Sequence, residues 1–220
     1  MPVSAFLFDF DGLIVDTETA SRAGWEWLYH RQGFELPHEK WALMVGTVDG
    51  WDVWGHLEGL AGRTLDRKQL NDERYAHELT LLEAEQLRPG ILDYLDAAER
   101  HGLKRAIVSS ASRGWIDMHL ERLERTVGWD AILTADHDPE RAKPAPTLYL
   151  EALDTLGVLA SEAIAFEDSP NGIAAAKAAG IYVVGIPNLV TRDMSLREAD
   201  LVLDSLADLP PDELLARLGG

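Results

Sequence analysis

Four short stretches gather the residue types that could do chemistry. Asp9 and Asp11 stand two apart in Phe8-Asp9-Phe10-Asp11-Gly12, and Ser109 and Ser110 follow Val108. Lys143 opens Lys143-Pro144-Ala145-Pro146, and Glu167 and Asp168 lie in Phe166-Glu167-Asp168-Ser169-Pro170-Asn171-Gly172. Two carboxylates as close as Asp9 and Asp11 suit a nucleophile with an acid/base partner, or a hard cation. Alone the string is ambiguous, since Asp-x-Asp-Gly also occurs in calcium loops and ordinary turns. Serines at a strand end can donate hydroxyl and amide hydrogens to phosphate oxygens, but serines end many strands merely for solvation. Pro144 disfavours the helical region for Lys143 and keeps it extended, while Pro146 suits the first turn of a following helix. Ser169 reads as an N-cap with Pro170 at the first helical position. One acid there could simply complement the helix dipole; two adjacent ones are less easily explained that way.

The elements that must position these residues are legible as short apolar runs. These are Val3–Phe8, Arg105–Val108, Ala131–Leu133, Ala163–Phe166, Tyr182–Gly185 and Leu201–Leu203. Helical periodicity follows or precedes them, as in Ile91, Leu92, Leu95 and Ala98, or in the alanine-rich Gly172–Gly180. Strands alternating with helices give an α/β fold: a Rossmann-like parallel sheet with helices on both faces. Such sheets carry their chemistry at the carboxyl ends of the strands, where all four stretches fall.

One interval breaks the rhythm. Residues 16–88 show little strand character; Ala20, Ala23, Gly24, Trp27 and Leu28 share a helical face, and a second helix is expected from Asp66 to Leu87 with Leu79 and Leu82 inward. The chain thus divides into a core of residues 1–15 and 89–220 and an inserted helical subdomain of 16–88, closed by Arg88-Pro89-Gly90. Five tryptophans fall in the insert, mostly as its own packing: Trp25, Trp27, Trp41, Trp51 and Trp54.

Composition narrows the functions. A net charge of −18, with 20 basic against 38 acidic side chains, repels nucleic acid and anionic lipid. There are no cysteines, which excludes disulfides and thiolate chemistry and fits a reducing, cytoplasmic setting. No apolar run reaches membrane-spanning length, and the N-terminus lacks the features of a secretory signal. A monomer is expected. The seven histidines lack metal-ligand spacing, and only His137 falls near a strand end of interest.

Taken together, Asp9, Asp11, Glu167 and Asp168 converge on one sheet edge with a single lysine. Left uncompensated they would raise one another's pKa values, and a divalent cation with oxygen ligands resolves this. A metal, a lysine, hydroxyl and amide donors and a spare carboxylate make a site for phosphoryl transfer, where the protein mainly positions groups and offsets charge.

At this point the sequence resembles the haloacid dehalogenase superfamily, in the helical-cap subfamily that includes β-phosphoglucomutase and sugar-phosphate phosphatases. The resemblance rests on Asp9-Phe10-Asp11-Gly12-Leu13-Ile14-Val15-Asp16-Thr17-Glu18, Ser109, Lys143-Pro144-Ala145-Pro146 and Phe166-Glu167-Asp168-Ser169, in that order and spacing. It implies that Asp9 attacks phosphorus, Asp11 serves as acid and then base, Ser109 binds the transferring group and Lys143 offsets charge. It further implies magnesium on the Asp9 carboxylate, the Asp11 backbone carbonyl and the Asp168 carboxylate, with Glu167 close by. Ser110 is expected to assist in phosphate binding. Thr47, Asp49 and Trp51 are expected to contact the leaving group, because the matching loop reaches the site in the family. The expected activity is magnesium-dependent hydrolysis of a small phosphate ester, such as a sugar or polyol phosphate. The alternative is a phosphomutase, which needs a cation in the cap for its distal phosphate. No lysine or arginine occurs from Trp41 through Gly62, although Arg22 could partly substitute. A phosphoaspartate switch of the receiver kind would be shorter and would lack both the insert and the second aspartate.

Overall fold

The computed structural model describes residues 2–41, 51–126 and 128–219. Its centre is a six-stranded, all-parallel sheet of β1 (Ala5–Phe8), β2 (Lys104–Ser109), β3 (Ala131–Thr134), β4 (Ala163–Glu167), β5 (Tyr182–Gly185) and β6 (Leu201–Val202), in the order β3-β2-β1-β4-β5-β6. The α/β expectation holds, and each apolar run of the sequence overlaps one strand. Because the order reverses at β1, crevices open beside its carboxyl end, where Asp9 and Asp11 lie.

Side-chain alternation builds two different faces. Ala5, Leu7, Ala106, Val108, Ala163 and Ala165 point one way, where their small size admits α7 (Thr147–Leu156) and α8 (Pro170–Ala178) closely. Phe6, Phe8, Ile107, Ile164 and Phe166 point the other way, against α5 (Ile91–His101), α6 (Arg113–Arg122) and α9 (Pro211–Gly219). Phe8 and Phe166 stack there at 4.9 Å between ring centres, so the two strands bearing the acids are locked side by side. On α5 the buried stripe is Ile91, Tyr94, Ala97 and Ala98; Leu92, expected inward, is 43% exposed, because Tyr94 takes the central place and bonds the Leu209 carbonyl at 2.9 Å.

Between β1 and α5 the described helices are α1 (Thr17–Arg31), α2 (His38–Trp41), α3 (Val53–Ala61) and α4 (Arg67–Leu82). Trp25, Leu28, Tyr29, Trp41, Val53 and Leu57 bury together, with Val190 of the loop after β5 joining them. The α1 stripe runs through Ala20, Gly24 and Leu28, while Ala23 and Trp27 are only half-buried. The second helix stops at Leu82 rather than Leu87. Its buried face is Arg74, Glu78 and Leu82. Arg74 and Glu78 ion-pair one turn apart, and Gly24 lets α1 come down onto both; a Cβ there would already sit 3.3 Å from that of Glu78.

Candidate active site

The sequence positions Asp9 by continuing β1 one residue past its last rung: its amide bonds the Phe166 carbonyl at 3.0 Å. Gly12 then turns the chain at φ +80, in contact distance of Asp168 and Asn188; a Cβ would lie 2.2 Å from Asp168 Oδ2. A glycine is required here by both backbone and space.

Lys143 reaches this edge from the loop before α7, through a cis Lys143–Pro144 bond. The Ser110 hydroxyl accepts from its amide at 3.1 Å. Its ammonium, 3% exposed, donates to Asp9 Oδ1 and lies 2.7 Å from Glu167 Oε1. Burial alone would lower the Lys143 pKa, but Asp9 and Glu167 hold it above its ordinary value. Pro146 sits one residue ahead of the expected place, at the N-cap of α7 rather than in its first turn.

Glu167 is fully buried. It accepts from Tyr149 at 2.5 Å, while its Oε2 has no hydrogen-bond partner among the described residues and rests against Gly172. Burial pushes its pKa up to about 7 against the pull of Lys143. Asp168 is held by Asn188, whose Nδ2 donates to Oδ2 at 2.6 Å; the Asn188 Oδ1 accepts from the amides of Val190 and Thr191 at 2.8 and 2.9 Å. Burial, with Asp9 and Glu167 adding, raises Asp168 well above the carboxylate range. Burial also raises Asp9, with Lys143 opposing.

Carboxylate oxygens of Asp9, Glu167 and Asp168 lie within 4.8 Å of one another, all buried. One lysine does not compensate them, and one Glu167 oxygen has no hydrogen-bond donor among the described residues. Hard oxygen donors at this spacing fit a divalent cation of the magnesium kind. The Asp11 side chain stands outside this trio.

Asp11 is tied down separately. Its Oδ1 accepts from Thr17 at 2.8 Å and from the Trp115 indole at 2.7 Å, and its Oδ2 accepts from Ser109 at 3.3 Å. Burial and the nearby Asp9 charge push its pKa up to about 6, against those three donors. A carboxyl that gives and takes protons near neutrality is what acid/base catalysis requires. Ser109 therefore faces Asp11, and its oxygen also accepts from the Ala111 amide at 3.0 Å.

A cavity of about 340 Å³ opens beside Asp11. The core side supplies Ser110, Ser112, Trp115 and His137, and the helical side Thr17, Glu18, Ser21 and Glu78. Burial, followed by the charges of Asp11, Asp9, Asp16 and Glu78, pushes Glu18 up to about 8. Trp51 lies elsewhere, edge-on to His56 at 5.1 Å with Lys40 over its ring at 5.7 Å. Thr47 and Asp49 lie outside the described residues. Arg22 pairs with Glu26 at 2.8 Å on its own helix.

Several residues of the site carried no sequence signal. Arg88 donates to the carbonyls of Gly12 and Pro187, stitching the turn after Asp11 to the loop that holds Asn188. Asn188, Tyr149 and Trp115 act across 20, 18 and 104 residues of chain respectively. Thr17 alone was within reach, since it stands in the stretch that begins at Asp9.

The sequence matches the haloacid dehalogenase-like hydrolases over residues 6–186, and the chain belongs to that family. It is 38% identical to the YhcW protein of Bacillus subtilis (strain 168), which carries a phosphatase name, across 98% of both chains. It is 32% identical to the validoxylamine A 7'-phosphate phosphatase of Streptomyces hygroscopicus subsp. limoneus, over 92% of this chain and 94% of that one. Among solved structures, CbbY from Rhodobacter sphaeroides in complex with phosphate superposes with a TM-score of 0.74 at 28% identity, covering 94% and 96% of the two chains. The protein is an enzyme of this family, a phosphatase. No described helix is long and apolar enough to cross a membrane.

Proposed function

We propose that the protein is a magnesium-dependent phosphatase of a small sugar or polyol monophosphate, working through an aspartyl phosphate on Asp9. The observation that carries this reading is the division of labour at the sheet edge. Asp9 is paired with Lys143 inside a buried acidic trio, while Asp11 is bonded apart from it and pushed up to about 6.

An Asp9 oxygen attacks phosphorus, the bond to the leaving oxygen breaks, and Asp11 delivers its proton to that oxygen. Water then attacks the aspartyl phosphate, Asp11 takes the water's proton, and phosphate leaves with Asp9 restored. Lys143 and the strand-end donors of Ser109 and Ser110 offset charge on the transferring group. Asp9 and Asp168, with Glu167 beside them and the Asp11 carbonyl, would hold magnesium, which when bound supplies positive charge to the phosphoryl oxygens.

Residues 16–88 act in this reading as a cap over a core of 1–15 and 89–220, closing on the substrate and excluding water. The cavity wall supports a neutral, hydroxylated leaving group. Its lining includes Glu18, Ser21 and Glu78 but no lysine or arginine among the described residues, and residues 42–50 contain none by sequence. A second phosphate there would face carboxylates. That favours a phosphatase over a phosphomutase, and a monophosphate over the xylulose-(1,5)bisphosphate bound in a CbbY mutant structure.

The test is hydrolysis of an aryl phosphate and of a panel of sugar and polyol phosphates by the purified protein, with and without magnesium. Steady magnesium-dependent release of phosphate that Asp9→Asn abolishes supports the reading. A single stoichiometric phosphorylation, or full activity in Asp9→Asn, overturns it.

A further inference from the structure

Trp115 is placed where three independent contacts fix it. Its backbone amide donates to the capping Ser112 hydroxyl at 3.3 Å, which sets the residue in the first turn of α6. One side of its ring lies against His119, with centres 4.3 Å apart at 73°. His119 is 1% exposed with no hydrogen-bond partner on either ring nitrogen among the described residues, and burial lowers its pKa to about 4. It is therefore a neutral, fixed backing that takes no hydrogen bond from the indole. The indole N–H points instead to Asp11 Oδ1 at 2.7 Å.

The other neighbour comes from the helical insert. Tyr75 of α4 meets the Trp115 ring at 6.3 Å and 44°, within the range of favourable aromatic pairs. Trp115 thus touches the insert with its ring and the acid with its nitrogen, beside the cavity that both line.

We propose that Trp115 is a positioning residue that couples the insert to the acid/base: Tyr75 sets the indole plane, and the indole N–H sets the direction of the Asp11 carboxyl. The inference rests on the phosphatase reading above, because it is the proton from Asp11 to the leaving oxygen that must be aimed. An acid misplaced by a fraction of an ångström fails most where the leaving group most needs a proton. An alkoxide needs it; a nitrophenolate leaves without it.

The experiment compares kcat/KM for an alkyl phosphate (glycerol 2-phosphate) and for p-nitrophenyl phosphate, since this ratio reads the first phosphoryl transfer. For Trp115→Phe, which keeps the ring and loses the N–H, the alkyl value should fall about 100-fold and the aryl value less than about threefold. For Tyr75→Ala the same split should appear at about tenfold, and Tyr75→Phe, which keeps the ring, should restore it. A purely structural role would lower both substrates equally. Equal losses, or no loss in Trp115→Phe, overturn the proposal. Should Trp115→Phe fail to fold, the Tyr75 pair decides by the same ratio. If the unaltered enzyme hydrolyses neither ester with magnesium, it is the phosphatase reading itself that falls.

Discussion

This protein buries charge in two regions, and it does so by opposite rules. On α4, one cation meets one carboxylate: Arg74 and Glu78 pair one turn apart, and the guanidinium lies 4.9 Å from the centre of the Trp25 ring. At the carboxyl edge of the sheet, Lys143 is the one cation that ion-pairs with Asp9 and Glu167 among the described residues, with Asp168 in the same cluster and Asp11 and Glu18 close behind. The first arrangement is complete in itself. The second has negative charge in excess, which a folded protein tolerates only by holding protons or by binding a cation. Balance is what packing needs; imbalance marks the place where a ligand finishes the structure.

The largest effect should come from removing the cation that pairs with Asp9 and Glu167. Lys143→Met leaves Asp9 and Glu167 buried without their cation, a loss of about 3–5 kcal/mol for a broken buried pair. Urea unfolding of the metal-free protein at pH 8 should read it, and phosphate release should fall to background. Below about pH 5 the stability loss should shrink, because the carboxylates then fold in their neutral form. A loss independent of pH would mean that Lys143 acts by packing rather than by charge.

The balanced pair should respond differently. Arg74→Met alone strands Glu78 and should cost about 3 kcal/mol, while Arg74→Met with Glu78→Leu should come back to within about 1 kcal/mol of the parent. No such double replacement exists at the sheet edge. If the double variant unfolds as easily as the single, the pair is not self-contained and the contrast between the two regions is wrong.

Next in size is a substitution that helix propensity would favour. Gly172 lies in the first turns of α8, where Ala gains up to about 1 kcal/mol over Gly. Here the added Cβ would fall 1.9 Å from Glu167 Oε2. Gly172→Ala should therefore destabilise by about 1–3 kcal/mol, as overpacking does, and reduce phosphate release by pushing Glu167 off Lys143. A stabilised and active Gly172→Ala would show that Glu167 has room to move.

How much of this the sequence disclosed depends on the range of the signal. The strands were legible because their signal is local: a continuous apolar run such as Ala5-Phe6-Leu7-Phe8 suits a strand buried on both faces. The catalytic stretches were legible because each is a short local motif, three of them at strand ends and Lys143 among the prolines before a helix. The buried face of α4 was not, since a reading by hydrophobicity selects Leu79 and passes over Arg74 and Glu78, which bury as a neutral pair. Trp115 and Asn188 were silent for another reason. Their partners, Asp11 and Asp168, meet them only after the sheet has formed, and no local pattern records a bond closed by tertiary folding. Leu92 failed similarly: α5 turns Tyr94 inward to meet a carbonyl beyond β6, and the stripe rotates with it.

The most general effect concerns the unbalanced region as a whole. Asp11 and Glu167 are held up at about 6 and 7, and Glu18 at about 8, all above their ordinary values near 4. The folded protein therefore binds protons that the unfolded chain has released. The stabilising contribution is complete below the unfolded pKa values and is lost as pH rises through the folded ones. In the metal-free protein the unfolding temperature should accordingly fall between about pH 5 and pH 8, by at least about 2–4 °C for each kcal/mol lost in a chain of this length. Magnesium should restore it most at pH 8, where a cation no longer competes with those protons. The Arg74→Met, Glu78→Leu protein should keep the restoration by magnesium but show a shallower slope, since Glu78 is itself held up and is one of the charges that hold Glu18 up. A slope that magnesium leaves untouched would place the proton uptake elsewhere, most simply at Glu18, which stands outside the trio and gains nothing directly from the metal.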